Sequence, residues 1–384
     1  MPISYHEALC LIHTRVQPLH VKQTLPLLKA LHRISSRDIC AKMALPTYPM
    51  SLKEGYGIAF ASNTTCYRLL TPPYPNPIPV GFGVKMCTGE SVPQGINTII
   101  PEEEVLNQTD DTIHIGLHAN PFTHIKKEGE DSEKGDILLA KGERLSAQKI
   151  TALASQGIQT LCVFKKPTVS ILSIGAQLVR GEIYNSNAIS IAARIMELGG
   201  KVVDCIVCDD NEEAILLNLS TLAETSDFVI TTGAMSCEDS MCRLLEKRTL
   251  PPLFHHVRLA PAKPSALSLL HSKPILHLPG LPLSCMLGFE MLGVPLLRHL
   301  QMHLPFLPSF ISCINQKRIT CKEDCVSAIP GRSDGSHFIS APHYEAGRLT
   351  ILSQCNGYIL SENRAIIEEG EEVSFFCFTY PPVS

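Results

Sequence analysis

From Lys165 to Leu300 the apolar positions switch between two spacings, and the switch predicts alternating strands and helices. The run Val169-Ser170-Ile171-Leu172-Ser173-Ile174-Gly175 has the continuous apolar character of a buried parallel strand ending in a turn. A helix is expected from about Asn187 to Leu198, with Ala188, Ile191, Ala192, Ile195 and Met196 on one stripe and Gly199-Gly200 as its stop. A strand over Val202 to Val207, a helix from Glu212 to Ala223 and a strand over Phe228 to Thr231 follow, the last ending in Thr232-Gly233-Ala234. Beyond these come a helix from Asp239 to Lys247, apolar stretches around Val257 and Ile275, and a long apolar helix from Ser284 to Leu300. Such alternation predicts an α/β domain with a parallel sheet covered on both faces. Ligands of these sheets sit beyond the carboxyl ends of the strands, so the turns at Gly175, Thr232-Gly233 and Pro279-Gly280 are expected to share one rim.

The flanking regions carry different patterns. Ser4 and Glu7 have capping-box spacing, and Ala8, Leu9, Ile12 and Val16 form the apolar face of a first helix. Residues 45–120 are rich in Pro, Gly and Thr between short apolar runs, which suits a small β-rich domain. From about Ile311 onward, Cys313 to Thr320, His337 to Ala341 and Val373 to Phe378 read as short strands of a terminal β-barrel.

Composition narrows the function classes. A chain of 384 residues exceeds one comfortable core, and 45% hydrophobic with 18% charged residues marks a globular protein. A net charge of -4 offers no electrostatic footprint for nucleic acid. No basic-apolar signal precedes Ser4 and no apolar run reads as long enough to cross a bilayer, so the expectation is a cytoplasmic protein without membrane contact. The fifteen cysteines are expected to be free and mostly buried, since Cys205 and Cys208 stand three apart on a strand and face opposite ways. Cys321 and Cys325 lack a second pair at zinc spacing, and His255-His256 fits neighbouring strand residues better than a metal pair.

Seven segments, in order, resemble the molybdopterin molybdenumtransferase family (MoeA, the gephyrin E-domain). Pro46-Thr47-Tyr48-Pro49-Met50-Ser51-Leu52-Lys53-Glu54-Gly55-Tyr56-Gly57-Ile58 is similar to its PPFDNSAMDGYAV, Cys87 to Gly95 to its MTGxxxPxG, and Lys126-Lys127-Glu128-Gly129-Glu130-Asp131 to its RRxGED. Thr231 to Glu238 resembles TSGGVSVG, Leu278 to Cys285 resembles LPGNPVSA, and Asn356 to Ile359 with Glu369 to Val373 resembles the ADGLI and AGEEV of its C-terminal barrel. The resemblance implies a multidomain α/β fold: a helical and linker domain (1–44 and 136–165), an inserted small β-rich domain (45–135), a parallel-sheet molybdopterin-binding domain (166–305) and a C-terminal β-barrel (306–384).

The same resemblance implies the chemistry, which is transfer of molybdate to adenylylated molybdopterin with release of AMP, assisted by magnesium. It implies catalytic roles for Glu54, Asp131, Asp210 and Lys263, with Asp131 and Asp210 as metal ligands. Binding of the pterin nucleotide falls to Ser186, Asn187, Thr232, Gly233, Ser236, Asp239, Pro279, Gly280 and Ser284. It further implies a homodimer, with molybdopterin adenylyltransferase as a partner. Several expected groups are replaced. The STGDEL carboxylates read Ala176 and Gln177, the VGDYD aspartate reads Met241, two lysines of KxxxKPGKP read His256 and Ala260, and the PGNP asparagine reads Leu281. Loss of hard anionic ligands and fixed cations predicts weakened turnover with backbone-mediated binding retained, and the alternative is a pseudoenzyme binding pterin or protein partners. In a bland reading, Asp209-Asp210-Asn211 is only the acidic first turn and N-cap of the next helix, and Lys126-Lys127 a wet surface.

Overall fold

The computed structural model describes residues 1–116, 119–345, 347–348 and 350–378. These divide into two compact units: one of 1–37, 141–146 and 160–384, the other of 38–140 and 147–159. The boundary runs through the segments assigned above to the helical and linker domain.

The first unit is built on a six-stranded sheet in the order Lys201–Cys208, Thr168–Ile174, Phe228–Thr232, Lys273–Leu278, Ala266–Leu270, Pro252–His255. The first four strands are parallel, as the apolar runs predict. The last two are antiparallel, a departure from the fully parallel expectation. A two-residue turn at His271-Ser272 makes the hairpin, and both residues have positive φ (50° and 63°), the backbone of a type I′ turn. Neither is the Gly or Asn that normally announces such a turn, so the sequence does not display it.

Alternate residues of the central strands point to opposite faces and meet different helices. Val169, Ile171, Phe228, Ile230, Leu276 and Leu278 pack with Ala188, Ile191 and Ile195 of helix Ser186–Glu197 and with helix Pro282–Leu300. Leu172, Ile174, Val229 and Ile275 pack instead with Ile215, Leu219 and Leu222 of helix Glu212–Thr225 and Leu244 and Leu245 of helix Ser240–Glu246. Each fully buried Leu or Ile contributes roughly 1.5–3 kcal/mol of apolar burial, so both helix layers are held by the strand alternation itself.

Helix Pro282–Leu300 corrects one expectation. It is 19 residues long and apolar enough, by length and composition, to cross a bilayer, yet 89% of it is buried in this unit. Its apolar surface is therefore spent on the core. A π-turn interrupts it at Phe289–Gly293, where Glu290 forms a buried ion pair with Arg194 (Nε to Oε1, 2.6 Å).

The C-terminal strands Val326–Ser333, His337–Ser340, Ile311–Asn315, Glu372–Cys377 and Gly357–Glu362 close into a barrel through the pairing of the first with the last. Cys313, Ile329, Phe338, Ile359 and Phe375 fill it. The short strand Leu259–Ala260 adds to its edge beside Val326 and Ser327.

The second unit centres on another six-stranded sheet, in the order Thr98–Pro101, Gly55–Ile58, Phe82–Met86, Cys66–Leu70, Thr112–Ile115, Val105–Gln108. Met50–Ser51 pairs with Ile125–Lys126 and bridges to Ser91, so the segments of Glu54, Cys87 to Gly95 and Lys126 to Asp131 converge there.

All fifteen cysteines are free thiols, but only Cys208, Cys242, Cys285 and Cys313 are buried, against the expectation that most would be. Cys205 is exposed and Cys208 buried, as their strand spacing requires. His255 ends its strand and His256 has φ 62°, so their rings stack at 4.1 Å rather than facing opposite ways.

Candidate functional site

At the carboxyl ends of the parallel strands lies a cavity of about 930 Å³, lined by Gly175, Ala176, Gln177, Glu182 to Asn187, Asp210, Thr232, Gly233, Ala234, Asp239 and Gly280 to Pro282. Three strand-end turns thus share one rim, as their sequence predicts. Asn187, in the first turn of its helix, ties two of them together: its Nδ2 donates to Gly280 O (2.8 Å) and Thr232 Oγ1 (3.1 Å). Gly233 has φ +94°, and a Cβ there would meet Ile174 O at 2.4 Å. A Cβ on Gly280 would approach Gly233 Cα at 3.3 Å, so the two turns touch backbone to backbone.

The N–H of Gly233 is spent on Leu278 O (3.2 Å) and that of Gly175 on Cys208 O (3.1 Å). The donors left at the Thr232-Gly233 turn are those of Ala234 and Met235, which find no acceptor among the described residues. These, with the start of helix Pro282–Leu300, are the groups able to receive an anion. Thr232 Oγ1 also lies 3.3 Å from Cys285 Sγ, whose thiol burial pushes up to about 12, so that sulfur stays protonated and unreactive.

The acidic residues sort differently from what the family resemblance implies. Asn211, not Asp210, caps helix Glu212–Thr225 by accepting from Ala214 N (2.9 Å). The N-cap of the bland reading is thus present at Asn211, while Asp210 accepts from Ser240 N (3.1 Å) and lines the cavity. Asp239 lines the cavity and accepts from Ser236 N (2.7 Å), while Met241 is fully buried in the core beside Leu244. The position matched to the family aspartate therefore points away from the site, and Asp239 is the acid that faces it. Glu182, unremarked in the sequence, also lines the cavity, paired with Arg180 at 2.6 Å. Ala176 and Gln177 do stand on the wall where carboxylates were expected.

Of the other residues singled out, Ser186 lines the cavity, Pro279 is buried beneath it with its carbonyl facing Thr232 Oγ1 (3.4 Å), and Ser236 is exposed outside it. Lys263 and Ser284 line a second cavity of about 550 Å³ with Arg258 and Lys322. Glu54 and Asp131 belong to the second unit, where Glu54 is exposed and Asp131 pairs with Lys126 Nζ at 2.6 Å. Tyr184, 96% exposed at the first cavity, offers a flat aromatic face that periodicity could not flag.

No group of three or more His, Cys, Asp or Glu side chains gathers into a metal cage among the described residues. Magnesium needs no such cage: it takes one or two carboxylates and completes its shell with phosphate oxygens and water. Asp210 and Asp239, on one wall, fit that mode.

The family model for the MoeA N-terminal region (domain I and II) matches residues 3–157, and that for a probable molybdopterin binding domain matches residues 170–299. The chain belongs to the MoeA family. Its molybdopterin-binding model spans every residue lining the 930 Å³ cavity. Among curated MoeA relatives, a molybdopterin molybdenumtransferase of Haemophilus influenzae is 28% identical over 72% of both chains. A putative molybdopterin biosynthesis protein of Methanocaldococcus jannaschii is 26% identical over 91% of this chain and 90% of that one. The MoeA protein of Pyrococcus horikoshii has the same fold, with a TM-score of 0.83 at 22% identity over 98% of this chain and 100% of that one.

Proposed function

We propose that this protein acts in molybdenum cofactor biosynthesis, binding adenylylated molybdopterin in the 930 Å³ cavity and transferring molybdate to it with release of AMP, at a reduced rate. The observation that carries the binding half is the Asn187 clamp, which holds the Gly280 and Thr232 turns at one rim beside the exposed Tyr184 ring. Turns with unspent backbone donors suit phosphate, and a flat aromatic wall suits a heterocycle. Relatives named molybdopterin molybdenumtransferase support the substrate class.

The reduced rate rests on Ala176 and Gln177, which present a methyl and a neutral amide to the cavity. Asp210 and Asp239 would hold magnesium together with substrate phosphate. Bound there, the ion would neutralise charge developing at the pyrophosphate. The chain's own contribution is positional: Asn187 fixes the turns, Ser240 N–H orients the Asp210 carboxylate, and Ser236 N–H orients Asp239. Preorganised groups of this kind need no rearrangement when the reaction begins.

The same reading includes a cytoplasmic homodimer in which the segment around Glu54 of one protomer faces the α/β domain of its mate. It includes a molybdopterin adenylyltransferase as supplier of the substrate, and the four-part domain division. A pseudoenzyme retaining only the binding step is the competing reading, favoured by the neutral pair at 176 and 177. Titration with AMP and adenylylated molybdopterin, followed by AMP release with molybdate and magnesium, separates the two. Binding without any turnover selects the pseudoenzyme, and no binding at millimolar ligand removes both.

A further inference from the structure

Residues 32–34 lie between two chain segments that each bring basic side chains to them. His32 N–H donates to Leu145 O and Leu145 N–H to Arg33 O, both at 2.9 Å, and Ile34 bridges Arg144. On the other side Phe164 N–H donates to Ile34 O (2.9 Å), and the buried Arg33 guanidinium donates through Nη2 to Phe164 O (2.6 Å). These bonds set His32, Arg33, Lys165 and Lys166 around one surface notch, with Gly199 and Gln301 on its remaining wall. The notch lies where the parallel strands Thr168–Ile174 and Lys201–Cys208 begin, at the end of the sheet opposite the rim of the 930 Å³ cavity.

The basic groups here act on one another. Burial and the charges of Arg33 and Arg144 hold the Lys166 ammonium below its ordinary range, and burial, Arg144 and Lys166 do the same to the His32 ring. No carboxylate among the described residues offsets these shifts, and Arg33, Lys165 and Lys166 form no ion pair with one. Two helix ends account for part of the charge. Gln301 closes helix Pro282–Leu300, and its Nε2 donates to Leu198 O (2.9 Å) at the end of helix Ser186–Glu197. A helix end carries about half a negative charge, so the two together offset roughly one of the three formal charges on Arg33, Lys165 and Lys166. The backbone N–H of Lys166 also finds no acceptor among the described residues. A surplus of cations beside an open donor is completed by an anion.

We propose that this notch seats a phosphate group, with Lys166 and His32 as its contacts and Arg33 as a fixed charge behind them. Lys166 offers a mobile ammonium and its backbone N–H, and His32 a ring N–H. Arg33, tied to Phe164 O, keeps its charge in place without rearrangement. The ligand is a small phosphate-bearing anion, free or a monoester, because a surface notch takes the phosphate oxygens and leaves any ester group in solvent. The seat shares no residue with either larger cavity, so it stands apart from the function proposed above.

Equilibrium dialysis of the full chain against inorganic phosphate, and separately against glycerol phosphate, tests this at an ionic strength held constant with chloride. Lys166→Gln and His32→Asn should each weaken binding by about tenfold, the loss of one charge-assisted contact. Asparagine is chosen because it tolerates the φ of 63° at position 32. Asn187→Ala, at the large cavity, should leave the Lys166-dependent binding as it is. Phosphate should raise the melting temperature of the natural chain and not that of Lys166→Gln. Without phosphate, Lys166→Gln should melt higher than the natural chain, because it relieves repulsion, whereas removing a lysine that only caps the helix ends would lower the melting temperature. Unaltered affinity in both variants, no binding at millimolar phosphate, or a lowered phosphate-free melting temperature in Lys166→Gln overturns the proposal. Tighter binding of glycerol phosphate than of inorganic phosphate assigns the seat to a monoester, and the reverse order to the free ion.

Discussion

Asn187 Nδ2 donates to Gly280 O at 2.8 Å, joining residues 93 positions apart at the mouth of the large cavity. Its second donation, to Thr232 Oγ1, makes one amide the clasp between two strand-end turns. Asn187→Ala should therefore weaken AMP binding by about tenfold while costing only ~1–2 kcal/mol of stability, since two hydrogen bonds are lost at a partly exposed place. Calorimetric titration beside a melting curve checks this. Equal affinity in the variant would show that the turns hold their shape unaided.

The backbone contact between the turns gives a sharper effect. Gly233→Ala forces a Cβ to 2.4 Å from Ile174 O at φ +94°, and a shift of the strand end must follow. A loss of about 1–3 kcal/mol is expected from backbone strain of this kind, with AMP binding falling further than stability alone explains. Denaturant titration that leaves the midpoint unchanged would count against the close approach.

A buried charge pair predicts an asymmetry. Arg194 and Glu290 side chains are only 11% and 5% exposed. Glu290→Ala should cost about 3–5 kcal/mol, because it strands the guanidinium in the core, and the double change Arg194→Leu, Glu290→Leu should cost markedly less. Chemical denaturation of the two variants distinguishes stranded charge from lost pairing.

Acid sensitivity follows from His277. Its ring is fully buried, with Nδ1 2.9 Å from Thr231 Oγ1 and Nε2 2.8 Å from Ser268 Oγ, and burial pulls its pKa down to about 3. The unfolded chain binds a proton near pH ~6.5 that the folded chain refuses, so stability is intact above that pH and falls as pH drops towards 3. Between pH 6 and 4 the loss should approach ~1.4 kcal/mol per pH unit from this residue. His277→Asn should be less stable at pH 7 and show a shallower acid slope. An unchanged slope would mean that other groups carry the acid response.

Much of this architecture is legible in the chain because burial imposes a period. The runs at 169–174 and 228–232 and the stripe Ala188, Ile191, Ile195 are apolar for the same reason that they are buried. The shared rim followed from strand direction alone. What stayed hidden depends on contacts distant in sequence or on unusual turns. His271-Ser272 makes a hairpin without the residues that advertise one. Met241 aligned with an acid but points into the core, while Asp239 two residues earlier reaches the cavity. Lys322 comes to the wall of the second cavity, which Arg258 also lines, only because a barrel strand pairs beside Leu259.

That outcome for Met241 also changes how activity should be restored. Met241→Asp would bury a carboxylate among Leu244 and Ile215, so the useful changes are Ala176→Asp and Gln177→Glu, both on the cavity wall. The most direct measurement is AMP release from adenylylated molybdopterin with molybdate and magnesium, made on the natural chain, on that double variant, and on the Haemophilus influenzae relative. The account predicts binding of the nucleotide by all three, release at least about a hundredfold slower in the natural chain than in the relative, and a rise in the double variant, since missing preorganised charge costs on the order of 3 kcal/mol at the transition state. Release by the natural chain at the relative's rate would contradict it.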